Sequence, residues 1–335
     1  MKGVGSPKLL FENLDLTPIH PILWTGLHTE GPGRPVEYPP EWDLKALMLR
    51  QLLQIPYVKD LVKRLRRNPC LRHACGYRDK APTEAHFSQM KKRIGAEGFR
   101  IIEARLRREA LRHRRSQPLS ATGLIQAACM DGTDLRAWSS RSPDDNKRGL
   151  GDPDARLGRG RKGFYLGYRS VFLTDIEGFP LGHMEAPANV NEPLMVESLL
   201  DKVLGEDIEV ELLAGDSGFE SRRVFEALEG RRMAPLVAWR RMKGRENPPD
   251  VLTVRDRIDV EGPEYKRVVY KRLRALVEGF IGRVKCRLGY GRLTWQGLED
   301  ASIHVSLVLM VVYAVAIAAF RIGRPELRQS VVYFA

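Results

Sequence analysis

The chain has 335 residues, of which 43% are hydrophobic, so it can bury a sizeable core and an intrinsically disordered chain is excluded. Lysine and arginine total 55 against 42 acidic residues, a formal net charge of +13. Because the basic residues cluster, this excess favours a polyanionic partner, above all nucleic acid. Simple solubility or a generally basic proteome is the alternative that charge alone leaves open.

Cysteine usage limits the metal and redox chemistry that the chain can carry. None of its cysteines forms a CxxC pair, so the sequence indicates neither a zinc ribbon nor a disulfide framework. The four are Cys70, Cys75, Cys129 and Cys286. No apolar signal core is visible near the N-terminus, and a reducing cytoplasm is the simplest expected compartment.

The first part of the chain is predicted to be an extended lead-in followed by helices. Residues 1–40 carry many Gly and Pro, which favours an extended segment. From Trp42, apolar residues recur at three- and four-residue steps, which predicts a helix, and a second helix follows a break at 55–57. Pro69 is expected to end this second helix.

Two more helices are predicted before the pattern changes. Thr83 is a suitable N-cap for the first of them. The second runs from about residue 99 to 115 and is strongly basic. We therefore predict an all-helical N-terminal domain over residues 41–116.

After residue 116, strand-like runs alternate with short helices. Strands are predicted at 124–130, 164–173 and 181–186, then at a run ending near Ala214 and at 235–239, with helices at 192–203 and 221–229. Three antiparallel strands followed by helix–strand units predict an α/β fold, a mixed sheet flanked by helices, over residues 117–325. A loop rich in Gly, Arg and Asp is expected at about 139–162, and a tail at 326–335.

One stretch, residues 303–320, is nearly all apolar and just reaches the roughly 17–25 residues that a membrane span requires. His304 and Ser306 interrupt its start. A core helix that is buried on all sides has the same composition, and we expect that alternative, with no membrane partner.

Two aspartates each end an apolar run and stand before a small residue. Asp131 follows the first predicted strand, and Asp216 follows the run that ends near Ala214. In open α/β sheets ligand sites gather at strand ends, and carboxylates in such positions suit metal binding. The alternative is structural, because Asp often begins a turn or caps a helix, as Asp216 would before Phe219.

A third acid, Glu278, lies in a long helical pattern. At 100° per residue, Arg274, Glu278 and Lys285 project within about 40° of one another, beside an apolar stripe. The stripe consists of Leu273, Leu276, Val277, Phe280, Ile281, Val284 and Leu288. A plain i,i+4 ion pair between Arg274 and Glu278, worth about 0.2–0.5 kcal/mol, is the structural alternative.

Taken together, these motifs resemble those of bacterial insertion-sequence transposases of the DDE superfamily. The matching segments are MDGT at 130–133, GYR at 167–169, FPL at 179–181, ANVNE at 188–192, AGDSGF at 214–219, and the R-x3-E-x6-K pattern of Arg274, Glu278 and Lys285. Residues 42–49 and 81–92 also resemble the helical domain that precedes the core in such transposases. The resemblance implies a ribonuclease-H-like catalytic core.

The resemblance also implies a mechanism. Asp131, Asp216 and Glu278 would hold two Mg²⁺ ions, for which Mn²⁺ is expected to substitute, and the ions would support cleavage at transposon ends and joining of the 3′-OH to target DNA. DNA is the implied partner, with a homo-oligomer assembled on it, in the bacterial cytoplasm at the nucleoid. The residues expected to contact DNA are Arg274, Lys285, Lys91, Lys92, Arg93, Arg107 and Arg108.

The sequence departs from the family pattern at two places. Tyr270 stands four residues before Arg274 instead of three, and Arg169 stands where Lys is more usual. For Trp138 and Trp295 core packing is favoured, and stacking on a flipped base is the alternative. Two rival functions stay open: a catalytically silent DNA-binding remnant, and a DNA nuclease that does not join strands.

Overall fold

A computed structural model of the protein describes residues 5–27, 36–115, 127–160, 163–204, 208–238 and 264–335. The chain divides into two compact units. The helical unit comprises Met1–Thr122, Val284–Trp295 and Glu299–Ala335, and the sheet unit comprises Gly123–Arg283 and Gln296–Leu298. Residues 124–126 of the first predicted strand and residue 239 of the last lie outside the described residues.

The helices and strands follow the chain in this order. The helices are α1 (Pro7–Glu12), α2 (His20–Leu23), α3 (Pro40–Leu52), α4 (Val58–Arg67), α5 (Pro69–Cys75), α6 (Glu84–Arg115), α7 (Pro193–Leu204), α8 (Arg222–Glu229), α9 (Glu264–Arg287), α10 (Leu298–Arg321) and α11 (Val331–Phe334). The strands are β1 (Ala127–Arg136), β2 (Arg156–Gly160), β3 (Gly163–Asp175), β4 (Pro180–Pro187), β5 (Leu212–Gly215) and β6 (Ala234–Val237).

The described part of the N-terminal segment is helical, so the prediction of an extended lead-in was wrong there. The Ser6 hydroxyl accepts a hydrogen bond from the Leu9 N–H at 3.2 Å, and Pro7 occupies the first turn of α1. Leu10 and Phe11 of α1 are buried. A capped helix start and two apolar side chains outweigh the Gly and Pro content of this segment.

Pro69 begins α5 instead of only ending α4. The Asn68 side chain accepts a hydrogen bond from the Leu71 N–H at 3.1 Å, and a proline at the first helical position loses no intrahelical bond. The two further predicted helices are present as α6, in which Gly95, with a φ of 65°, marks the break. Thr83 caps it as expected, because its hydroxyl accepts from the His86 N–H at 3.3 Å.

The apolar helix α10 belongs to the helical unit, although the predicted domain division placed it with the sheet. It is long and apolar enough to cross a membrane by composition, but 94% of its most apolar window is buried inside the protein. Its Ser306 hydroxyl donates to Glu103 at 2.7 Å. This burial agrees with the expected core helix. The predicted tail also differs, since α11 buries Val331 and Phe334.

The sheet unit contains a mixed sheet in the order β2-β3-β1-β5-β6, with β4 also paired to β3. The pairs β1–β3, β2–β3 and β3–β4 are antiparallel, whereas β1–β5 and β5–β6 are parallel. The predicted α/β fold class, a mixed sheet with helices, is confirmed. The expected loop at 139–162 differs, because it contains the strand β2.

Helix α9 buries the apolar stripe that its sequence predicts. Of the seven stripe residues only Leu276 is less than fully buried. The Phe280 ring meets Phe172 of β3 edge to face, with 5.4 Å between ring centroids. Since Phe172 is the register partner of Asp131, this contact fixes α9 beside the strand that carries the first aspartate.

Candidate active site

Asp131 and Asp216 lie at the same level on neighbouring strands. The parallel pairing of β1 and β5 runs from Ala127↔Leu212 to Cys129↔Ala214, and each aspartate comes two residues after that last pair. Adjacent strands are about 4.8 Å apart, so the two residues stand side by side where β5 ends. Asp216 directly follows the last residue of β5, as predicted. The prediction that Asp131 follows the end of its strand was wrong, because β1 stays paired with β3 through Asp131 as far as Arg136.

Each aspartate also accepts a hydrogen bond from a backbone N–H close to it in the chain. Asp131 Oδ1 accepts a hydrogen bond from the Gly132 N–H at 3.0 Å. Asp216 Oδ1 accepts from the Gly218 N–H at 2.7 Å and caps the short 3₁₀ helix Ser217–Phe219. The capping role that the sequence left open for Asp216 is therefore present. It occupies one carboxylate oxygen and is compatible with a second role for the other.

The third predicted acid is joined to the first through an arginine. Arg274 Nη2 donates to Glu278 Oε1 at 2.8 Å, and its Nη1 lies 3.2 Å from Asp131 Oδ1. The side chain of Arg274 is 15% exposed and that of Glu278 is 60% exposed. The i,i+4 pair expected as the structural alternative is formed, and the same guanidinium links α9 to β1.

Burial has the largest effect on the pKa values of the acids in this site. Burial raises the pKa of Asp131, and the charge of Asp216 adds to this effect while Arg274 opposes it. Burial alone would lower the pKa of Arg274, but its pairing with Asp131 outweighs burial and the pKa is raised. Tyr270, which stands four residues before Arg274 instead of three, is influenced by the same charged groups. Burial raises its pKa to about 12, and the charge of Arg274 opposes this rise.

Sequence reasoning missed Glu192 as a site residue. Burial raises the pKa of its carboxylate, Arg169 opposes the rise, and Asp216 and Asp131 contribute to it. Arg169 Nε lies 3.6 Å from Glu192 Oε1. In the sequence, Glu192 is only the last residue of the ANVNE segment, directly before α7, and that position was the available signal.

The donor set suits a hard divalent cation, because Mg²⁺ prefers carboxylate oxygens and keeps several waters. As the described side chains stand, no three acidic, His or Cys residues among them are grouped closely enough to enclose a metal ion. Arg274 holds the carboxylate of Glu278 and supplies the positive charge between two of the acids.

Several residues expected to contact DNA have other partners in this structure. Lys91 pairs with Asp300, and its Nζ lies 4.6 Å from the centre of the Trp295 ring. Arg93 donates to the carbonyl oxygens of Leu23 and Thr25, both at 2.6 Å. These contacts stabilise the helical unit.

The remaining members of that set differ in exposure. Arg107 is only 5% exposed. The pattern of charged residues along the helix did not indicate that this side chain is buried. Arg108 is half-buried, and Lys92 is exposed. Lys285 is half-buried, with its Nζ 5.9 Å from the centre of the Tyr290 ring.

The two tryptophans have different surroundings. Trp138 is 57% exposed, so the expectation of core packing was wrong for it. Trp295 is half-buried, and the guanidinium of Arg50 lies 4.7 Å from its ring centre, besides the Lys91 contact. Its ring therefore stacks with cations inside the helical unit.

Comparison with known proteins gives two family matches. The family described as "Transposase DDE domain" matches residues 122–313, and the family described as "Transposase domain (DUF772)" matches residues 8–93. No curated protein matches the chain.

Two solved structures have 12% sequence identity to the chain and cover 78% of it and 82% of their own length. They are the "Mos1 transposase paired-end complex with left transposon end", with a TM-score of 0.23, and the "Crystal structure of the Mos1 mariner paired end complex with Mn", with a TM-score of 0.21. These TM-scores are too low to carry a structural argument, so the family assignment rests on the sequence match.

Proposed function

The chain belongs to the family of transposases that carry a DDE domain, and from this membership we propose that it cuts DNA at transposon ends and joins the freed 3′-OH to target DNA. The observation that carries the proposal is the level position of Asp131 and Asp216 on adjacent parallel strands, with Arg274 linking Asp131 to Glu278. The three acids belong to three separate segments, β1, the residue after β5, and α9, and the pairing of β1 with β5 and the contacts of Arg274 support the proposal.

Asp131, Asp216 and Glu278 are the residues proposed to hold two Mg²⁺ ions, or Mn²⁺ in their place. When bound, such ions supply an activated water and stabilise the leaving oxygen of an in-line phosphodiester displacement. The chain's own groups have two further tasks. Arg274 and Lys285 are proposed to contact the phosphates beside the scissile bond, where a guanidinium provides a bidentate contact and an ammonium a point charge.

DNA is the proposed partner, and the net charge of +13 supports it. The exposed cations on α4 and α6, which include Arg66, Arg67, Lys92 and Arg105, are the described residues best placed to reach a phosphate backbone. Because two transposon ends must be held together, we propose a homo-oligomer assembled on DNA, acting in the bacterial cytoplasm at the nucleoid.

The test is nicking of supercoiled plasmid with Mg²⁺ or Mn²⁺, comparing the wild type with Asp216→Asn. We expect metal-dependent nicking that the variant loses while it still binds DNA. Asp144→Asn, at an exposed loop residue of the same unit, is the matched control and should nick normally. Equal nicking by the wild type and Asp216→Asn would contradict the proposal.

The rival functions are separated by a second assay on the same proteins. Supplying a labelled 3′-OH end and a target plasmid reveals joined product if the chain is a transposase. Nicking without joined product would identify a nuclease. DNA binding without either reaction would identify a catalytically silent remnant.

A further inference from the structure

A fourth carboxylate, that of Glu192 directly before α7, lies beside the residues that follow Asp131 and Asp216. A Cβ placed on Gly132, the residue after Asp131, would lie 2.1 Å from Glu192 Oε1. A Cβ placed on Gly218 would lie 3.3 Å from Glu192 Oε2 and 2.8 Å from Asp216 Oδ1. The Glu192 carboxylate therefore occupies the space between Gly132 of β1 and Gly218 in the turn after Asp216.

The two glycines provide room for this carboxylate. Neither Gly132 nor Gly218 is among the glycines with a positive φ, so neither needs glycine for its backbone conformation. At Gly132 any side chain would collide with the carboxylate, and at Gly218 it would press on both Glu192 and Asp216. The small residues after the aspartates thus form a cradle that a carboxylate fills.

Arg169 holds Glu192 on one side only. Its Nε lies 3.6 Å from Oε1, while its Nη2 donates to the Arg159 carbonyl oxygen at 3.0 Å. This anchor leaves Oε2 directed towards Gly218 and Asp216. A role limited to the ion pair with Arg169 would not require the carboxylate to lie between Gly132 and Gly218.

The side chains of the site carry an excess of negative charge, which favours the binding of a cation. Asp131, Asp216, Glu192 and Glu278 carry four negative charges when ionised, and Arg169 and Arg274 carry two positive charges. Among these six side chains two negative charges remain, which is the charge of one divalent cation. Carboxylates brought together under partial burial repel one another unless a cation is bound among them.

We propose that Glu192 is a fourth acidic residue of the cation site, and that its Oε2 joins Asp131 and Asp216 in the shell of oxygen ligands and waters around a divalent cation. This inference rests on the proposed function, and it adds to Asp131, Asp216 and Glu278 a ligand to which the resemblance gave no role. Glu278, on α9, then completes the site from the side of Arg274.

Binding of Mn²⁺ to the full-length, DNA-free protein tests the proposal, with free Mn²⁺ measured by electron paramagnetic resonance. Glu192→Gln keeps the shape of the side chain and removes its charge, and we expect Mn²⁺ affinity to fall by about tenfold or more. Arg169→Gln removes the ion pair and keeps the carboxylate, and it should bind Mn²⁺ at least as tightly as the wild type. A purely structural role predicts equal Mn²⁺ affinity for Glu192→Gln and the wild type, and that result would overturn the proposal.

Two further variants keep the outcomes distinct. Asp216→Asn should also weaken Mn²⁺ binding; if it does not, the proposed function and this inference both fail. If Asp216→Asn weakens binding and Glu192→Gln does not, only the role of Glu192 fails. Should Glu192→Gln not fold, Glu192→Asp keeps the charge and withdraws Oε2 by one methylene, and Mn²⁺ affinity equal to that of the wild type would then overturn the proposal.

Discussion

The guanidinium of Arg274 lies 3.2 Å from the carboxylate of Asp131, with both side chains about one-seventh exposed. The pair joins α9 to β1 across 143 positions of sequence, and the same arginine holds Glu278. A side chain that the sequence motif associates with DNA is thus a counter-ion of both Asp131 and Glu278 in this structure.

Replacing Arg274 by Gln should destabilise the metal-free protein by about 1–3 kcal/mol, because a partly buried Asp131 loses its charged partner. Added Mn²⁺ should then raise the melting temperature of the variant more than that of the wild type, since the cation replaces the missing positive charge. Thermal unfolding with and without Mn²⁺ measures both effects. Arg222→Gln, which breaks an exposed i,i+4 pair with Glu226, is the control and should leave the melting temperature unchanged. An identical Mn²⁺ response in the wild type and Arg274→Gln would argue against this role.

Glu278→Gln should separate catalysis from stability. The carboxylate is largely exposed, so its neutralisation should change the free energy of unfolding by no more than about 0.5 kcal/mol. Metal-dependent plasmid nicking should nevertheless be lost. Glu197→Gln, in an exposed pair with Arg223 of the same unit, should keep both stability and nicking. Normal nicking by Glu278→Gln would remove this residue from the proposed site.

Phe280→Ala should show how strongly α9 depends on its contact with the sheet. Removal of a fully buried ring that packs against Phe172 is expected to cost about 3–5 kcal/mol. Denaturant unfolding measures the loss. Val268→Ala, at an exposed position of the same helix, is the control and should cost less than about 0.5 kcal/mol. Similar losses for the two variants would contradict the packing described.

His86 should make a pH-dependent contribution to the stability of the helical unit. Its Nε2 lies 2.7 Å from Oδ2 of the buried Asp43, and this hydrogen bond raises the pKa of His86. A raised folded-state pKa means that the stabilisation is complete below the unfolded value of about 6.5 and is lost as the pH rises through the folded value. The difference in unfolding free energy between the wild type and His86→Gln should therefore be larger at pH 5.5 than at pH 9.

Tyr77→Phe provides the matched comparison for His86. The Tyr77 hydroxyl donates to Oδ1 of the same Asp43 at 2.6 Å, and burial raises the pKa of this tyrosine well above its ordinary range. Loss of this hydroxyl should therefore lower the free energy of unfolding by the same amount at pH 5.5 and at pH 9. If His86→Gln also lowers the free energy of unfolding by the same amount at both pH values, then His86 does not titrate against Asp43.

Substitution of two neighbouring lysines of α6 should affect DNA binding differently. Lys92 is exposed, so Lys92→Ala should weaken binding uniformly across DNA sequences and reduce the salt slope by about 1. Lys91 pairs with Asp300 and stacks on Trp295, so Lys91→Ala should lower the melting temperature and leave the salt slope unchanged. Affinity measured at several salt concentrations distinguishes them. The reverse pattern would place Lys91 on the DNA surface.

Local sequence patterns predicted the local features of this protein. The cap at Thr83 and the apolar stripe of α9 depend on residues within a turn or two of one another, and the structure contains both of them. The end of β5 was also visible, because its apolar run stops at Asp216, whereas β1 continues past Asp131 to Arg136.

The sequence by itself therefore determined the fold class, the family and the position of Asp216 at the end of β5. Only the tertiary structure decided that Arg274 pairs with Asp131, that Glu192 lies between Gly132 and Gly218, and that Arg107 is buried. The physical reason is that hydrophobic periodicity reports which side of an element faces the core, whereas the partner of a charged side chain depends on which distant segment packs there. Burial and charge pairing at the site arise from that packing, and no single stretch of the chain contains them.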